Sequence, residues 1–196
     1  MEKRKSIILL DRMLSGFLIK VMELNEVQTR LNKESELIHI FIDSFLKLEI
    51  HYEVPSFSQI FLEGRIISES LNRVEETGFA DAHSEILAVR EAESVLGSRY
   101  LENCLLFTLL EPCTMCAGAI IHSRISTVYY FADQSRVSGI SSLPVEYICR
   151  LNYFPRLVKI DDPRAEEKLS GFFHKIREHK SIARTDASDP YTGILL

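Results

Sequence analysis

Apolar residues recur at helical spacing in two segments near the beginning of the chain. The first segment predicts an amphipathic helix over residues 6–24, with apolar positions Ile7, Leu10, Leu14, Phe17, Leu18, Val21 and Met22. Residues 25–36 are mostly polar or charged. The second segment predicts a helix over residues 36–50 that ends before Pro55, with apolar positions Leu37, Ile40, Phe41, Phe45 and Leu48.

From residue 57 onward the pattern alternates between strand-like and helical segments. Gly64 separates two β-like runs, Phe57–Leu62 and Arg65–Leu71, as in a hairpin. A helix over residues 82–95 follows, with Asp81 as its expected N-cap and Gly97 as its end. The remaining predicted elements are strands over Leu105–Leu110, Ile125–Phe131 and Leu157–Ile160, and helices over Cys113–Ile121, Val145–Leu151 and Ala165–His179. This order is typical of a layered α/β domain with a mixed sheet.

The composition is that of a globular protein rather than of a membrane or disordered one. The chain has 196 residues, 46% hydrophobic and 26% charged, which is enough for one domain with a sizeable core. It contains no apolar run of about 18 residues, and Ile7–Leu10 is too short for a signal peptide. We therefore expect a cytoplasmic protein without a membrane partner. The net charge of −5 gives no overall attraction to nucleic acid, although a local basic surface can still bind it.

The four cysteines fall into two groups. Cys104 and Cys149 have apolar neighbours, which predicts buried, reduced thiols. Cys113 and Cys116 follow Pro112 at the start of a predicted helix. Residues three apart share a helix face, and the unpaired N–H groups of a first turn favour thiolates. The second pair can therefore bind one metal ion.

His83 and Glu85 complete the pattern that carries chemistry. An imidazole and two thiolates are typical zinc ligands, and three protein ligands leave a fourth position for a reacting water. Glu85 is poorly placed to bind the same metal as His83, but it can take a proton from the water and deliver it to an amine-bearing ring and its departing nitrogen. Two alternatives to a catalytic zinc site stay open. A structural zinc site would need a fourth protein ligand, for which His122 is the nearest candidate. The other alternative is that the C-x-x-C pattern occurs by chance.

The run from Glu111 to Ile125, EPCTMCAGAIIHSRI, closely resembles that of bacterial tRNA adenosine deaminases, which belong to the zinc-dependent cytidine/deoxycytidylate deaminase superfamily. The resemblance extends over about residues 38–178. Its other segments are Glu53-Val54-Pro55, Gly64-Arg65-Ile66-Ile67, Asn72-Arg73, Ala82-His83 with Glu85-Ile86, and Leu169-Ser170 with Phe172-Phe173.

The resemblance implies a cytidine-deaminase-like three-layer α/β/α sandwich with a five-stranded mixed sheet, usually in a homodimer. It implies a reaction that converts adenosine to inosine at the wobble position of a tRNA, with Glu85 as the proton shuttle. The implied Zn²⁺ ligands are His83, Cys113 and Cys116. The implied contacts to the target base and the tRNA anticodon loop are Asn72, Phe173 and Arg177. We expect the deaminase domain over residues 36–180, an extra N-terminal helical segment over residues 1–35 and a C-terminal tail over residues 181–196.

The sequence departs from the family pattern at three places. Ser84 stands where the family has Ala between the histidine and the glutamate, and Ser56-Phe57-Ser58 stands where it has Val-Gly-Ala. The loop after Tyr130 also differs, and both Asp133 and Ser135 are candidates for the family's acidic loop residue.

Three functions remain open at this point. The first is RNA editing, which the Cys113–Ile125 block favours. The second is deamination of a free base or nucleoside such as guanine or cytosine, which the acidic balance and the altered segment Ser56–Ser58 favour. The third is a catalytically silent binding subunit, against which the intact Glu85 argues.

Overall fold

A computed structural model describes residues 27–29, 31–49, 53–133 and 138–183, with the side chains of the last helix described as far as His174. The helix predicted over residues 6–24, Ser135 and the end of the tail lie outside this part of the chain. The chain divides into two compact units, Met1–Ile40 and Phe41–Leu196. The first unit is helical at residues 27–29 and 31–40, and the second begins with helical residues 41–47, here α1.

The second unit is built on one mixed sheet of five strands. The strands are β1 (Phe57–Leu62), β2 (Arg65–Leu71), β3 (Cys104–Leu110), β4 (Thr127–Ala132) and β5 (Arg156–Lys159). Their order across the sheet is β2-β1-β3-β4-β5. The strand β1 pairs antiparallel with β2 and β3, whereas β3, β4 and β5 are parallel. The predicted hairpin is present, and Glu63 and Gly64 form its turn with φ angles of 51° and 85°.

Helices cover both faces of the sheet. They are α2 (Val74–Thr77), α3 (Ser84–Leu96), α4 (Thr114–His122), α5 (Val145–Ile148) and α6 (Pro163–Ala183). Aliphatic side chains of the sheet pack against α3 and α4 in one core cluster, which includes Ile60, Leu106 and Val128. The opposite face is aromatic: the ring of Phe41 in α1 lies 5.0 Å from that of Phe131 and 5.3 Å from that of Phe57.

The last helix belongs to the same layer as α1. The ammonium group of Lys168 in α6 donates to the backbone carbonyls of Phe45, Leu46 and Leu48, at 2.7, 3.0 and 2.6 Å. These carbonyls are at the end of α1, where a helix leaves acceptors unpaired and favours a positive charge. The two helices therefore form one outer layer, and the predicted α/β/α sandwich with a five-stranded mixed sheet is confirmed.

The structure corrects several local predictions. The N-cap of α3 is His83, not Asp81, because residues 79–82 turn back on themselves through a bond from the Ala82 amide to the Phe79 carbonyl. The short helix α2 was not predicted. The last helix begins at Pro163, two residues early, since the carboxylate of Asp162 accepts from the Arg164 amide.

The prediction that both spare cysteines are buried is half wrong. Cys104 lies in the core with 1% of its surface exposed, but Cys149 is exposed. It directly follows α5, a four-residue helix that has no buried residue, so its apolar neighbours lie on the surface instead of in the core. In the part of the chain that the structure describes, no helix is long and apolar enough to cross a membrane.

Candidate active site

The N-termini of two helices bring His83, Cys113 and Cys116 together. His83 and Cys113 are the N-cap residues of α3 and α4, both with extended backbone, and Cys116 is in the first turn of α4. His83 Nδ1 lies 3.7 Å from Cys113 Sγ and 3.4 Å from Cys116 Sγ, and the two sulfurs are 3.6 Å apart. Both sulfur-bearing residues are buried, and His83 is half-buried.

This geometry fits a zinc ion. With the usual zinc–ligand distances and tetrahedral angles, two thiolate sulfurs stand about 3.8 Å apart, and an imidazole nitrogen stands about 3.6 Å from each of them. The observed separations of 3.4 to 3.7 Å match this arrangement without movement of the backbone. The chemistry of the donor set also fits, because one imidazole and two thiolates are ligands that zinc prefers.

The electrostatics of the group favour a thiolate at Cys113. Its contact with Cys116 and its contact with His83 lower the pKa of Cys113 to about 4. The same contact with Cys113, together with burial, raises the pKa of Cys116. The contact with Cys113 also raises the pKa of His83. Cys113 is therefore the member of the pair that ionises first, and a cysteine binds a metal ion as the thiolate.

Glu85 lies beside this group, in the first turn of α3. Its side chain is 3% exposed, and burial raises the pKa of its carboxyl group. The Ser84 hydroxyl donates to Glu85 Oε2 at 3.0 Å. The pKa of Cys116 is raised mainly by Cys113 and by burial, and Glu85 raises it further through a side-chain contact. The carboxyl group of Glu85 therefore lies next to the Cys116 sulfur. A buried carboxyl group with a raised pKa is suited to accept and return a proton near neutral pH.

Glu111 fixes the loop that covers the first cysteine, a role that the sequence did not reveal. Its carboxylate is buried and accepts from the Ser141 amide at 2.9 Å. The same loop forms a bridge between Gly139 and Cys113, and the Ile140 amide donates to the Pro112 carbonyl at 2.9 Å. The loop after β4 is therefore joined to the segment that carries Cys113.

A second unpredicted contact orients Asn72. This residue is 5% exposed, and its Nδ2 donates to Glu53 Oε2 at 2.7 Å. The other carboxylate oxygen of Glu53 accepts from the Glu76 amide at 2.9 Å. The Arg73 amide donates to the Ala82 carbonyl, so the Asn72 segment runs beside the His83 loop. Asn72 lines a cavity of about 560 Å³ together with Glu49, Glu53, Val54, Glu69, Ser70, Leu71, Arg73 and Glu76.

The remaining predicted residues lie elsewhere. Phe173 is on α6, in the layer of α1 and not in that of α3 and α4; its ring is 37% exposed and lies 5.6 Å from that of Phe172. Arg177 is also on α6, beyond the described side chains. Asp133, at the end of β4, accepts from Lys159 at 2.7 Å. The structure does not bring Phe173 into the His83 group.

The family model for the cytidine and deoxycytidylate deaminase zinc-binding region matches residues 32–132, just over half of the chain. The chain belongs to this family. The match includes both helix N-termini that carry the His83, Cys113 and Cys116 group. It agrees with the deaminase resemblance read from the sequence, and the predicted enzyme class is confirmed.

Individual relatives of this deaminase have two different substrates in their names. The chain is 37% identical over 134 residues to the tRNA-specific adenosine deaminase of Aquifex aeolicus, covering 65% of this chain and 85% of the relative. It is 41% identical over 127 residues to the guanine deaminase of Bacillus subtilis, covering 65% of this chain and 76% of the relative. A solved structure from a study of A-to-I editing by tRNA:A34 deaminases superposes with a TM-score of 0.53 at 33% identity, over 58% of this chain and 84% of the other.

Proposed function

We propose that this protein is a zinc-dependent hydrolytic deaminase that converts adenosine to inosine at the wobble position of a tRNA. The observation that carries the proposal is the group of His83 Nδ1 and the two cysteine sulfurs, within 4.8 Å of one another, beside the buried carboxyl group of Glu85. The identity of 37% to a tRNA-specific adenosine deaminase supports the substrate. A cytoplasmic location follows from that substrate.

In this proposal, His83, Cys113 and Cys116 hold the zinc ion. When bound, zinc supplies a Lewis acid that makes a water molecule acidic enough to react near neutral pH. The chain itself contributes rigidity, because each ligand belongs to the first residues of a helix whose backbone is fixed by the sheet core. Both cysteines are buried in the protein, so bulk water has little access to the sulfur ligands.

Glu85 moves the protons. Its carboxylate takes a proton from the attacking water as the oxygen bonds to the ring carbon that carries the amine. It then delivers that proton to the ring nitrogen. The proton left on the attacking oxygen passes to the amine, the C–N bond breaks, ammonia leaves, and the oxygen stays as the carbonyl of inosine. The raised pKa of Glu85, caused by burial, brings the proton-accepting group closer to the operating pH, where general acid–base catalysis is most efficient.

Asn72 is the proposed contact to the target base. Because its Nδ2 donates to Glu53, the opposite end of the amide, Oδ1, is directed away from that carboxylate and can accept from a base. Phe173 and Arg177 stay proposed contacts to the anticodon loop, for which an exposed ring and a cation on α6 are suitable. Their support is the resemblance together with the 37% exposure of Phe173.

The test is inosine detection by mass spectrometry in unmodified tRNAs incubated with the purified, zinc-loaded protein. We expect inosine at the first anticodon position. Glu85→Ala should lower the rate by about 100-fold or more, as for loss of a general acid–base group, while the zinc content stays at one ion per chain. Glu91→Ala, an exposed glutamate on the same helix, is the matched control and should react like the wild type. Wild-type protein that holds zinc but forms no inosine would refute the proposal.

Deamination of a free base is the second candidate, and the cavity beside Asn72 favours it. Four glutamates line this cavity, and its one cation, Arg73, is paired with Glu76 at 2.7 Å. Such a negative surface repels the phosphates of RNA but admits a neutral base. The 41% identity to a guanine deaminase points the same way. The same protein sample should therefore be assayed for ammonia release from guanine, cytosine and adenosine.

A further inference from the structure

Four hydroxyl groups are buried together behind the carboxyl group of Glu85. Ser56 immediately precedes β1, Ser58 lies within β1, Ser84 is the first residue of α3, and Thr108 is in β3. Ser58, Ser84 and Thr108 have no exposed surface, and Ser56 is 6% exposed. A buried hydroxyl group without a partner costs stability, so a cluster of this kind requires that its members bond to one another.

The cluster is continuous from the sheet to Glu85. Ser58 Oγ donates to Thr108 Oγ1 at 3.0 Å, across directly paired positions of β1 and β3. Ser84 Oγ lies 2.8 Å from Ser58 Oγ and 2.7 Å from Ser56 Oγ, and it donates to Glu85 Oε2 at 3.0 Å. Ser84 therefore joins the strand hydroxyls to the glutamate.

We propose that Ser84 is a positioning residue, which holds the Glu85 carboxyl group in its reactive orientation, and that Ser56, Ser58 and Thr108 hold Ser84. This inference rests on the proposed role of Glu85 in the deaminase. A glutamate side chain has three rotatable bonds, and only some of its rotamers direct the carboxyl group at the substrate. The contact from Ser84 selects among them. Because the Ser84 proton goes to Glu85 and the Ser58 proton goes to Thr108, Ser56 is the serine that can donate to Ser84, while Ser58 lies in contact with it.

The three serines are also the positions at which this chain departs from the family pattern. They come from two segments 28 residues apart in the sequence, yet their hydroxyl groups meet. A lone serine at position 84 could donate to the Glu85 carboxylate, but its own oxygen would lack a donor, which Ser56 can supply. The departures are therefore one structural feature, and they concern the proposed catalytic glutamate.

Ser84→Ala separates this role from a merely structural one. We expect kcat to fall about tenfold, because a misplaced Glu85 loses part of the roughly 100-fold or more that a general acid–base group supplies, with KM and zinc content unchanged. Ser84→Thr keeps the hydroxyl group and should restore most of kcat. Ser68→Ala is the matched control: this serine is also buried and also contacts α3, donating to the Ala88 carbonyl at 2.8 Å, but it does not contact Glu85. It should lower stability and leave kcat unchanged.

The combined variant Ser56→Ala, Ser58→Ala, Ser84→Ala and Thr108→Val gives the decisive comparison. It removes every hydroxyl group of the cluster, so none is left unpaired, and stability should recover relative to Ser84→Ala. We expect kcat to remain low. If kcat recovers together with stability, or if Ser84→Ala reacts like the wild type, the hydroxyl groups serve the fold alone and the inference is wrong. Wild-type protein that deaminates neither tRNA nor a free base would instead refute the proposed function, and the inference with it.

Discussion

The amide group of Asn72 is oriented by the carboxylate of Glu53, which makes two bonds at once. Glu53 accepts from the Asn72 side chain at 2.7 Å and from the Glu76 amide at 2.9 Å. Both partners are donors, so both carboxylate oxygens are needed. If Asn72 contacts the base, the bond from its Nδ2 to Glu53 leaves Oδ1 as the end of the amide that faces the base.

Glu53→Gln should therefore weaken substrate binding. Glutamine has the shape of glutamate but only one acceptor oxygen, so its NH₂ group faces one of the two donors. We expect KM to rise about tenfold, the cost of one buried hydrogen bond, while kcat changes little. Steady-state kinetics on the substrate identified above would measure both. Glu75→Gln, an exposed neighbour in α2, is the control, and equal KM values for the two variants would contradict the role of Glu53.

The cysteines differ enough in environment to be told apart by alkylation. Cys149 is exposed, whereas Cys104 is buried and burial raises its pKa to about 11. Cys113 has a pKa lowered to about 4, by its contacts with Cys116 and His83, so it is a reactive thiolate unless a metal ion holds it.

We predict that iodoacetamide modifies only Cys149 in zinc-loaded protein, and modifies Cys149 and Cys113 after treatment with a chelator. Cys104 should remain unmodified in both samples of folded protein. Peptide mapping by mass spectrometry measures all three sites, and Cys104 serves as the internal control for unfolding. Equal modification of Cys113 with and without the chelator would show that no metal is held there.

At the level of single residues, the sequence predicted the local part of the candidate site. Motif spacing pointed to His83, Glu85, Cys113 and Cys116, and the structure brings the imidazole and the two sulfurs within 4.8 Å of one another; the roles of these residues stay predictions. The partners of Asn72 and Ser84 were not found, because Glu53 and Ser56 lie 19 and 28 residues away from them in the sequence. Such pairs meet only through the sheet register, which no local pattern specifies.

At the level of elements, the loop after β4 is held against α4 by close packing on Gly139. A Cβ atom at this position would collide with the carboxylate of Glu111. The same carboxylate accepts from the Ser141 amide, so the loop cannot move away without losing that bond. The close approach is what allows Gly139 to form its bridge with Cys113.

We predict that Gly139→Ala lowers the free energy of unfolding by about 1–3 kcal/mol, the usual cost of overpacking. The collision should also displace Glu111 and, with it, Cys113 two residues further along the chain. A chelator should therefore remove zinc more easily from this variant. Gly118→Ala is the matched control, since nothing lies within 4 Å of its Cβ position and alanine favours a helix. Denaturant unfolding and zinc retention would measure the two effects, and identical behaviour of both variants would contradict the packing argument.

The element boundaries show where periodicity is informative. The five strands and the helices α3, α4 and α6 were predicted close to their observed bounds, because each contains a short apolar run or regularly spaced apolar residues in the sequence. The short helices were harder: α2 has no buried residue and was missed, and α5 ended earlier than expected. The sequence of α2, Val-Glu-Glu-Thr, has one apolar residue and therefore no hydrophobic pattern to recognise.

At the level of the whole molecule, the two compact units raise the question of what the first 35 residues contribute. The family model begins at residue 32, and the unit boundary follows Ile40. The helix predicted from the sequence of residues 6–24 would carry an apolar stripe, and we expect a folded protein to cover it, either on its own surface or against a second copy. The domain boundaries and the homodimer stay predictions that one experiment can address.

We predict that deletion of residues 1–35 leaves zinc binding and deamination intact, because all proposed site residues lie beyond it, but lowers the number of chains per particle that light scattering measures. The reason is that the deletion removes the apolar stripe, which we expect at a subunit interface. The double variant Leu14→Asp and Leu18→Asp in the full chain should reproduce the change, because two charges on the stripe oppose its burial. An unchanged number of chains per particle in both proteins would place the stripe outside any interface. Loss of zinc in the deletion alone would instead show that the segment supports the fold of the deaminase domain.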